Sequence, residues 1–408
     1  MSYQDTHRLS CQDPLLVIGA STRAVAQSAA RIGKAVHAID LFCDEDLRMV
    51  AKSVAKVHPD DYPHAFLELA KELPSTAFCY TGGLENYPAI INGLQECRSL
   101  AGNSGMSLRS ARDPFFLSAL MREAHIPFPE THHCAKGLPQ DGSFLAKQRN
   151  STGGRSVTYW ESDTSSNSST FWQKRICGSP YSASFIMDHG QANMLGITRQ
   201  LIGRVCSKRF PFAYHGSLTL RHNDIPAKLR DVTQKCGTIL AQRCGLVGAV
   251  GIDFVVDQNS QPWMIEVNPR FTASMELHER TTGQSIVGEH LSACGNTTRC
   301  AVARADSIPH QNWIKIILFT KGNFRVDKHV HAVWKTYQER WSAADGGQPA
   351  LADIPTADQT IHEGSPSLTL FAVGRCPTQA IAKLQQRISI LREHMPFASL
   401  PDDVASSP

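Results

Sequence analysis

The sequence lacks the features that mark several common protein classes. No apolar run in its 408 residues approaches the roughly 18 residues of a membrane span, and the first residues, MSYQDTHRLSCQDP, lack the apolar core of a signal peptide. The net charge of +4 is small for this length, and no dense Lys/Arg block is present. These absences argue against a membrane protein, a secreted protein and a nucleic-acid-binding protein.

Closely spaced cysteine pairs are also missing. The twelve cysteines stand singly, without a C-x-x-C pair, and many lie within apolar segments. This usage is typical of reduced, mostly buried thiols, and it argues against a disulfide framework or a zinc site. We therefore expect a cytoplasmic protein.

The first hundred residues alternate strand and helix patterns. PLLVIGAS, VHAIDLF and STAFCYTGG predict buried strands, and TRAVAQSAARIG predicts a helix that Gly33 closes. Such alternation predicts an α/β fold with a parallel, Rossmann-like sheet over residues 1–110. The turn at residues 19–21 could bind phosphate at the following helix, but the full G-x-G-x-x-G pattern is absent, which argues against a dinucleotide site.

The segment YTGGLENYP follows one of these strands. It places Glu85 and Asn86 at the sheet edge where open α/β sheets bind ligands, so both are candidates for holding a substrate amine. The same two residues also suit the start of a helix.

A second unit begins near residue 111, where Asp113 suits a helix N-cap and Pro114 the first helical turn. Next, SFLAKQRNSTGGRSV predicts a strand carrying Lys147, a glycine loop over residues 147–156, and another strand. A lysine charge and loop amides together can cover a triphosphate. A glycine-containing hairpin between two strands, without any role in binding, has the same sequence pattern.

The segment GIDFVVDQNSQPWMIEVNPR predicts a β-hairpin over residues 250–270, with its turn at residues 259–260. The predicted register gives three apolar cross-strand pairs: Ile252–Val267, Phe254–Ile265 and Val256–Trp263. On the other face Asp253 opposes Glu266, with Asn268 two residues further along. Opposed like charges destabilise a sheet, whereas two carboxylates and an amide suit Mg²⁺. The alternative is a solvated sheet face on which two acids tolerate each other.

Residues 299–408 predict a small α+β lobe. NWIKIILFTKG predicts a strand, residues 331–360 are expected to be irregular, and PSLTLFAVGRCPTQAIAKLQQRISILREHM predicts a strand followed by a long helix.

Taken in order, these features resemble the ATP-grasp superfamily, in the branch of predicted ATP-dependent carboligases that is similar to biotin carboxylase-like and tyramine–glutamate ligase-like proteins. The most specific element is E-V-N-P-R with an aspartate thirteen residues before its glutamate. The resemblance implies a Rossmann-like N-terminal domain (1–110), a two-lobed ATP-grasp domain (111–298) and a small C-terminal α+β lobe (299–408).

The resemblance also implies a site for ATP with Mg²⁺ or Mn²⁺. Asp253, Glu266 and Asn268 would bind two metal ions, and Arg270 would touch the transferred phosphate or stabilise an oxyanion. The implied nucleotide contacts are Lys147, Gly153, Gly154, Gln173, the backbone of Lys174 and Ile176, and Lys208.

Further residues are expected near the substrate or the nucleotide. His278 and Glu276 follow the motif closely enough to reach a substrate. Pro114 stands where many relatives carry a lysine for ATP, so either Arg109 or Arg112 substitutes for that lysine or the contact is absent. Relatives often have an acidic residue for the ribose after the position of Gly178, and Ser179 or Ser182 would replace it here.

The activity implied is an ATP-dependent carboxylate–amine ligase that works through an acyl phosphate on small-molecule substrates, in a chain that can pair as a homodimer. Kinship suggests glutamate joined to a small amine or a cofactor precursor of methanofuran- or tetrahydromethanopterin-type metabolism. Two alternatives stay open: a bicarbonate-using carboxylase, although no M-K-M biotin-carrier motif is present, and a catalytically silent ATP-binding protein.

Overall fold

The computed structural model of the protein describes residues 13–75, 77–162, 164, 166–205, 210–295, 311–396, 400 and 404. Lys208, expected near the phosphates, lies outside these residues. None of the helices in the described ranges has both the length and the apolarity that crossing a membrane requires.

The N-terminal unit is a parallel five-stranded sheet with helices around it. Its strands and helices are β1 (Leu15–Ile18), α1 (Arg23–Arg31), β2 (Val36–Asp40), α2 (Glu45–Arg48), β3 (Ser53–Lys56), α3 (Ala65–Lys71), β4 (Ala77–Tyr80), α4 (Pro88–Gln95) and β5 (Ser99–Leu100). The strand order β3-β2-β1-β4-β5, with every pair parallel, matches the predicted Rossmann-like sheet. The order reverses between β1 and β4, and open sheets bind ligands at such a point.

Two helices lead from this unit into a small antiparallel sheet. These elements are α5 (Gly105–Arg112), α6 (Pro114–Glu123), β6 (Thr131–His132), β7 (Asp141–Gln148), β8 (Val157–Glu161) and β9 (Thr170–Lys174). The Asp113 carboxylate accepts hydrogen bonds from the Phe115 and Phe116 amides, as an N-cap does. The four strands follow the order β6-β9-β7-β8.

A large antiparallel sheet and its helices form the rest of the molecule. Its elements are β10 (Gly178–Asp188), β11 (Gln191–Val205), β12 (Phe210–Thr219), α7 (Ala227–Arg243), β13 (Gly248–Asp257), β14 (Pro262–Asn268), α8 (Met275–Thr282), α9 (Ile286–Ala293), β15 (Asn312–Phe319), β16 (Phe324–Arg325), α10 (Lys328–Ala344), β17 (Leu351–Ala352), β18 (Thr360–Ile361), β19 (Pro366–Gly374) and α11 (Pro377–Leu391). Eight strands run in the order β14-β13-β10-β11-β12-β15-β19-β17, while β16 and β18 form a separate two-stranded sheet. The sheet is therefore continuous from the acidic hairpin into the C-terminal strands.

The hairpin register is correct at its base and wrong near its turn. Ile252 pairs with Val267 and Asp253 with Glu266, as expected. A β-bulge at Ile265 then shifts the pairing, so that Phe254 faces Met264 and Val256 faces Pro262. The bulge turns Met264 into the core, where it is fully buried.

Two other expectations were wrong. Residues 331–360 are not irregular, because α10 occupies most of the first half of that range. Its helix buries Val330, Trp334 and Trp341 on one side, which gives it an apolar stripe against the C-terminal core. All nine described cysteines are free, but only four of them are buried.

Candidate active site

A cleft of about 1680 Å³ opens between the N-terminal sheet, the small sheet and the large sheet. Its walls bring together most residues that the sequence singled out. They include Lys147, Gly153, Gly154, Gln173, Lys174, Ile176, Asp253, Glu266, Asn268 and Arg270. The turns after β1 and β4 also line it, which places the N-terminal sheet's switch point on the same cleft.

The two opposed carboxylates of the hairpin lie on the cleft wall. Asp253 and Glu266 are directly cross-strand, and the Asn268 side-chain nitrogen donates to Asp253 Oδ2 at 3.0 Å and to Glu266 Oε1 at 3.3 Å. Gln200 Nε2 on β11 donates to Asp253 Oδ1 at 3.1 Å. The predicted trio is thus assembled, and Gln200 is a member that no sequence pattern indicated.

The electrostatics of this pair differ between its two members. Burial and the neighbouring Glu266 charge raise the pKa of Asp253 to about 7. Burial also opposes ionisation of Glu266, but Arg112 and Lys147 outweigh it and lower the pKa of that carboxyl. The site therefore holds one carboxylate that is ionised at neutral pH and one that is only partly ionised there.

Arg270 is held in a fixed orientation beside this trio. Its Nε donates to Glu85 Oε1 at 2.8 Å, one terminal nitrogen to the Phe271 carbonyl at 2.9 Å, and the other to Asn268 Oδ1 at 3.3 Å. The Arg270 side chain is 10% exposed, whereas that of Glu85 is fully buried. Glu85 therefore lies beneath Arg270 and does not line the cleft.

Lys147 lies where β7 faces the cleft. Its Nζ donates to Gln173 Oε1 at 3.0 Å, and burial lowers its pKa. At the neighbouring hinge between β9 and β10, the Lys174 amide donates to the Glu130 carbonyl. Ile176 lines the cleft, and no backbone hydrogen bond of its amide is found within the described chain.

The glycine loop, residues 147–156, covers one side of the cleft and is tied down at several points. Gly153 and Gly154 have φ of +64° and +71°, a left-handed conformation that favours glycine. The Tyr214 amide on β12 donates to the Gly153 carbonyl at 3.0 Å, and a side chain at Gly154 would overlap the Phe212 carbonyl oxygen.

Two residues of the N-terminal half fasten the same loop. Arg112 donates to the Ser151 carbonyl at 2.9 Å, to Asn86 Oδ1 at 3.1 Å and to the Val267 carbonyl at 3.0 Å, while its guanidinium lies 3.9 Å from Glu266 Oε2. Asn86 Nδ2 donates to the Ser151 carbonyl at 3.3 Å. Of the two arginines expected to replace the missing lysine, Arg112 lines the cleft, whereas Arg109 is exposed and does not line it.

Most of the other candidates lie away from the cleft surface. His278 is buried against Gly196 of β11 and does not line the cleft, because α8 points it toward the large sheet. Glu276 is buried in an ion cluster with Arg23, Arg280 and Lys315. Of the two serines expected near the ribose, Ser182 lines the cleft opposite Asp253, whereas Ser179 does not line it.

Comparisons with known proteins agree with this architecture. Residues 111–274 match the family model of the ATP-grasp domain. No curated protein matches the chain in sequence.

Solved structures share the fold over nearly the whole chain. Biotin carboxylase from Campylobacter jejuni is 14% identical, with 96% of this chain and 93% of that chain covered and a TM-score of 0.68. An N5-carboxyaminoimidazole ribonucleotide synthetase, solved with ADP, is 14% identical over 96% of this chain and 100% of that chain, with a TM-score of 0.68. The L-amino acid ligase from Bacillus licheniformis is 13% identical over 95% of this chain and 99% of that chain, with a TM-score of 0.66.

Identities this low establish the fold and leave the substrate open. The family match covers the segment that carries the acidic trio, Lys147 and the glycine loop. The chain therefore carries an ATP-grasp domain at residues 111–274, and its overall fold is the one found in solved carboxylases and an amino acid ligase.

Proposed function

We propose that the protein is an ATP-dependent ligase that joins a small carboxylate to a small amine through an acyl phosphate. The observation that carries this proposal is the pair Asp253 and Glu266, bridged by Asn268 and placed beside Arg270 in one cleft. Opposed carboxylates weaken a sheet by repulsion unless a cation lies over them.

The donor set fits Mg²⁺ or Mn²⁺. Asp253, Glu266 and Asn268 supply carboxylate and amide oxygens, the ligands that hard cations prefer, and a cation bound there would oppose the burial and the Glu266 charge that raise the pKa of Asp253. When bound there, the metal would neutralise the carboxylates together with phosphate oxygens.

The remaining residues divide into nucleotide and reaction roles. Lys147 supplies a buried positive charge for the phosphates, the glycine loop supplies backbone donors over them, and the Ile176 amide suits a base edge. The Lys174 amide is already used by Glu130, so it is excluded as the adenine donor. Arg270, held by Glu85, would stabilise charge on the transferred phosphate or on the tetrahedral oxyanion.

This division needs no covalent enzyme intermediate. Catalysis rests on positioning the acyl phosphate and the amine and on stabilising negative charge. The likeness to an L-amino acid ligase supports an amino acid as the carboxylate substrate, and glutamate with a small amine or a one-carbon cofactor precursor is the narrower suggestion. The three-domain division, the cytoplasmic location and the homodimer belong to the same proposal.

The alternative is a carboxylase that activates bicarbonate. The likeness to biotin carboxylase and to the carboxyaminoimidazole ribonucleotide synthetase favours it, because the names of both proteins indicate carboxylation chemistry. A third alternative, an ATP-binding protein without turnover, has less support, because Lys147 and the acidic trio all line the cleft.

ADP release in Mg²⁺ tests these alternatives. Wild type and Glu266→Gln receive ATP with pooled amino acids, pooled amines, or bicarbonate with pooled acceptors, and Glu123→Gln on the surface of α6 is the matched control. We expect amine-dependent ADP release that falls roughly 100-fold or more in Glu266→Gln and is unchanged in Glu123→Gln, because a metal clamp contributes several kcal/mol.

The other outcomes separate the candidates. ADP release that needs bicarbonate and no amine would replace the ligase by the carboxylase. ATP binding without release in any pool would refute both enzymes, and equal activity in wild type and Glu266→Gln would refute the metal role of the hairpin.

A further inference from the structure

A buried carboxylate joins the glycine loop to Arg270. Glu85 Oε1 accepts two hydrogen bonds, from Thr152 Oγ1 of the loop at 2.9 Å and from Arg270 Nε at 2.8 Å. Its other oxygen accepts the Gly83 amide at 2.6 Å. Glu85 Oε1 therefore accepts hydrogen bonds both from the glycine loop that covers the cleft and from Arg270 inside the cleft.

Glu85 is placed to orient other groups and not to meet a substrate. Its side chain is fully buried and lies outside the cleft lining, while Arg270 and Thr152 are both in that lining. The Gly83 amide holds one oxygen, so the position of the other depends on its two donors. Burial raises the pKa of Glu85, but Arg270 and Arg112 outweigh this and lower it, so the carboxylate stays ionised at neutral pH.

We propose that Glu85 is a positioning residue that couples docking of the glycine loop to the orientation of Arg270. When the loop is docked, the Thr152 hydroxyl and the Gly83 amide fix the carboxylate, and the carboxylate then fixes the guanidinium. When the loop lifts, Oε1 loses one of its two donors and Arg270 gains rotational freedom. The catalytic consequence rests on the proposed function, whereas the coupling itself does not.

Coupling of this kind is reciprocal, which makes it testable without turnover. If the loop stabilises Arg270 through Glu85, Arg270 must stabilise the docked loop by the same factor. None of the hydrogen bonds of Arg270 described above goes to the loop. A change in the loop on replacing Arg270 therefore has to pass through an intermediate such as Glu85.

Amide hydrogen exchange of residues 149–156 in the nucleotide-free full chain measures the docking. The variants are Thr152→Val, which removes the hydroxyl at nearly constant shape, and Arg270→Ala. The controls are Thr152→Ser, which keeps the hydroxyl, and Arg325→Ala, which removes an exposed arginine–aspartate pair outside α7. Exchange in α7 serves as the internal reference for global stability.

We expect exchange of the loop to rise roughly 10-fold to 100-fold in Thr152→Val, the range for losing a hydrogen bond to a charged group. Arg270→Ala should raise it as well, with α7 unchanged, and both controls should match wild type. Faster exchange in Thr152→Val with none in Arg270→Ala would overturn the coupling. If Arg270→Ala also loosens α7, Arg270→Lys takes its place in the same comparison.

The kinetic arm uses ADP release under the conditions found for the wild type. Thr152→Val should lower kcat about 10-fold while KM for ATP changes less than about threefold, and Thr152→Ser should restore kcat. In an Arg270→Ala background, Thr152→Val should cause no further loss, whereas additive losses would refute a shared path. If no pool supports ADP release, the proposed function fails and the exchange experiment still decides the coupling.

Discussion

The buried ion cluster around Glu276 makes the firmest prediction about stability. Its carboxylate on α8 binds Arg23 of α1, with one contact at 3.1 Å, and Lys315 of β15 at 2.7 Å, and Arg280 lies 3.6 Å away. All four side chains are at most 7% exposed. The cluster therefore joins helix α1 of the N-terminal unit to the C-terminal strand β15, and its side chains are nearly all buried although Arg23 and Lys315 border the cleft.

Glu276→Gln removes the charge without changing the volume. Arg23 keeps its contact with Asp353 at 2.9 Å, but Lys315 loses its one ion pair within the described residues and stays buried. Breaking a buried pair from one side costs about 3–5 kcal/mol, because the remaining charge is uncompensated. We expect a loss of this size in the free energy of unfolding at neutral pH.

Urea unfolding followed by tryptophan fluorescence measures this loss, since Trp313 lies 5.3 Å from the Arg280 guanidinium and is buried. Glu123→Gln, at an exposed pair, is the matched control and should not change the unfolding curve. The double variant Glu276→Gln/Lys315→Met should lose less than the sum of the single variants, because it leaves no unpaired lysine.

The pH dependence provides a second signature. Burial opposes ionisation of Glu276, but Arg23 and Lys315 outweigh it and hold its pKa well below the usual range. The stabilisation is then complete above the unfolded pKa of about 4.3 and is lost as pH falls toward the folded value. A Glu276→Gln protein within about 1 kcal/mol of wild type at pH 7, with the same acid sensitivity, would refute the reasoning.

Three further predictions concern the cleft. Gly154→Ala should weaken MgATP binding in calorimetry about 10-fold or more, because the φ of +71° and the nearby Phe212 carbonyl both disfavour a side chain there. Gly153→Ala, with open space around it, should weaken MgATP binding less, and equal effects of the two substitutions would contradict this account of the loop. The pKa of Asp253 is about 7, and a metal ligand has to be deprotonated. The affinity for Mn²⁺ should therefore fall about tenfold per pH unit below pH 7 and level off above it. An affinity that does not change in titrations from pH 5.5 to 7 would contradict the raised pKa of Asp253. Lys147→Met should weaken ATP binding about tenfold or more in calorimetry and leave adenosine binding unchanged, because the lost charge is the one expected to contact the phosphates. Equal weakening of ATP and adenosine binding would contradict that placement of Lys147.

Much of the fold follows from local patterns in the sequence. The strand and helix alternation of the N-terminal unit and the N-cap at Asp113 each depend on short segments, and the structure has them as predicted. The spacing of Val330, Trp334 and Trp341 in α10 also repeats like a helix, so the signal was present, although the nearby Gly/Pro-rich stretch suggested irregularity.

The sequence pattern predicts only part of the hairpin register. Asp253 and Glu266 face one another because a period of two fixes their pairing near the base. The segment PWMIEV is apolar at successive positions, so its alternation cannot reveal the extra residue at Ile265. Packing in the core selects the bulge, and packing is not readable from one strand.

The hydrogen bonds that hold the site residues in place were not predictable for the same reason. The hydrogen-bond partners are far apart in sequence: Thr152 and Glu85 by 67 residues, Arg112 and Ser151 by 39, and Gln200 and Asp253 by 53. Their partners are set by the way the three sheets meet around the cleft. Sequence patterns identified the charged residues of the site, whereas only the tertiary fold shows which groups hold them in place.

The continuous eight-stranded sheet limits how this chain can be shortened. β12 pairs with β15 through Gly216, Ser217 and Leu218, although the two strands lie on opposite sides of residue 298. A fragment ending there would carry an unprotected strand edge, with backbone donors and acceptors ready to pair with another molecule. Such a fragment should associate with itself when expressed, so a minimal ATP-binding piece of this protein has to include the C-terminal strands.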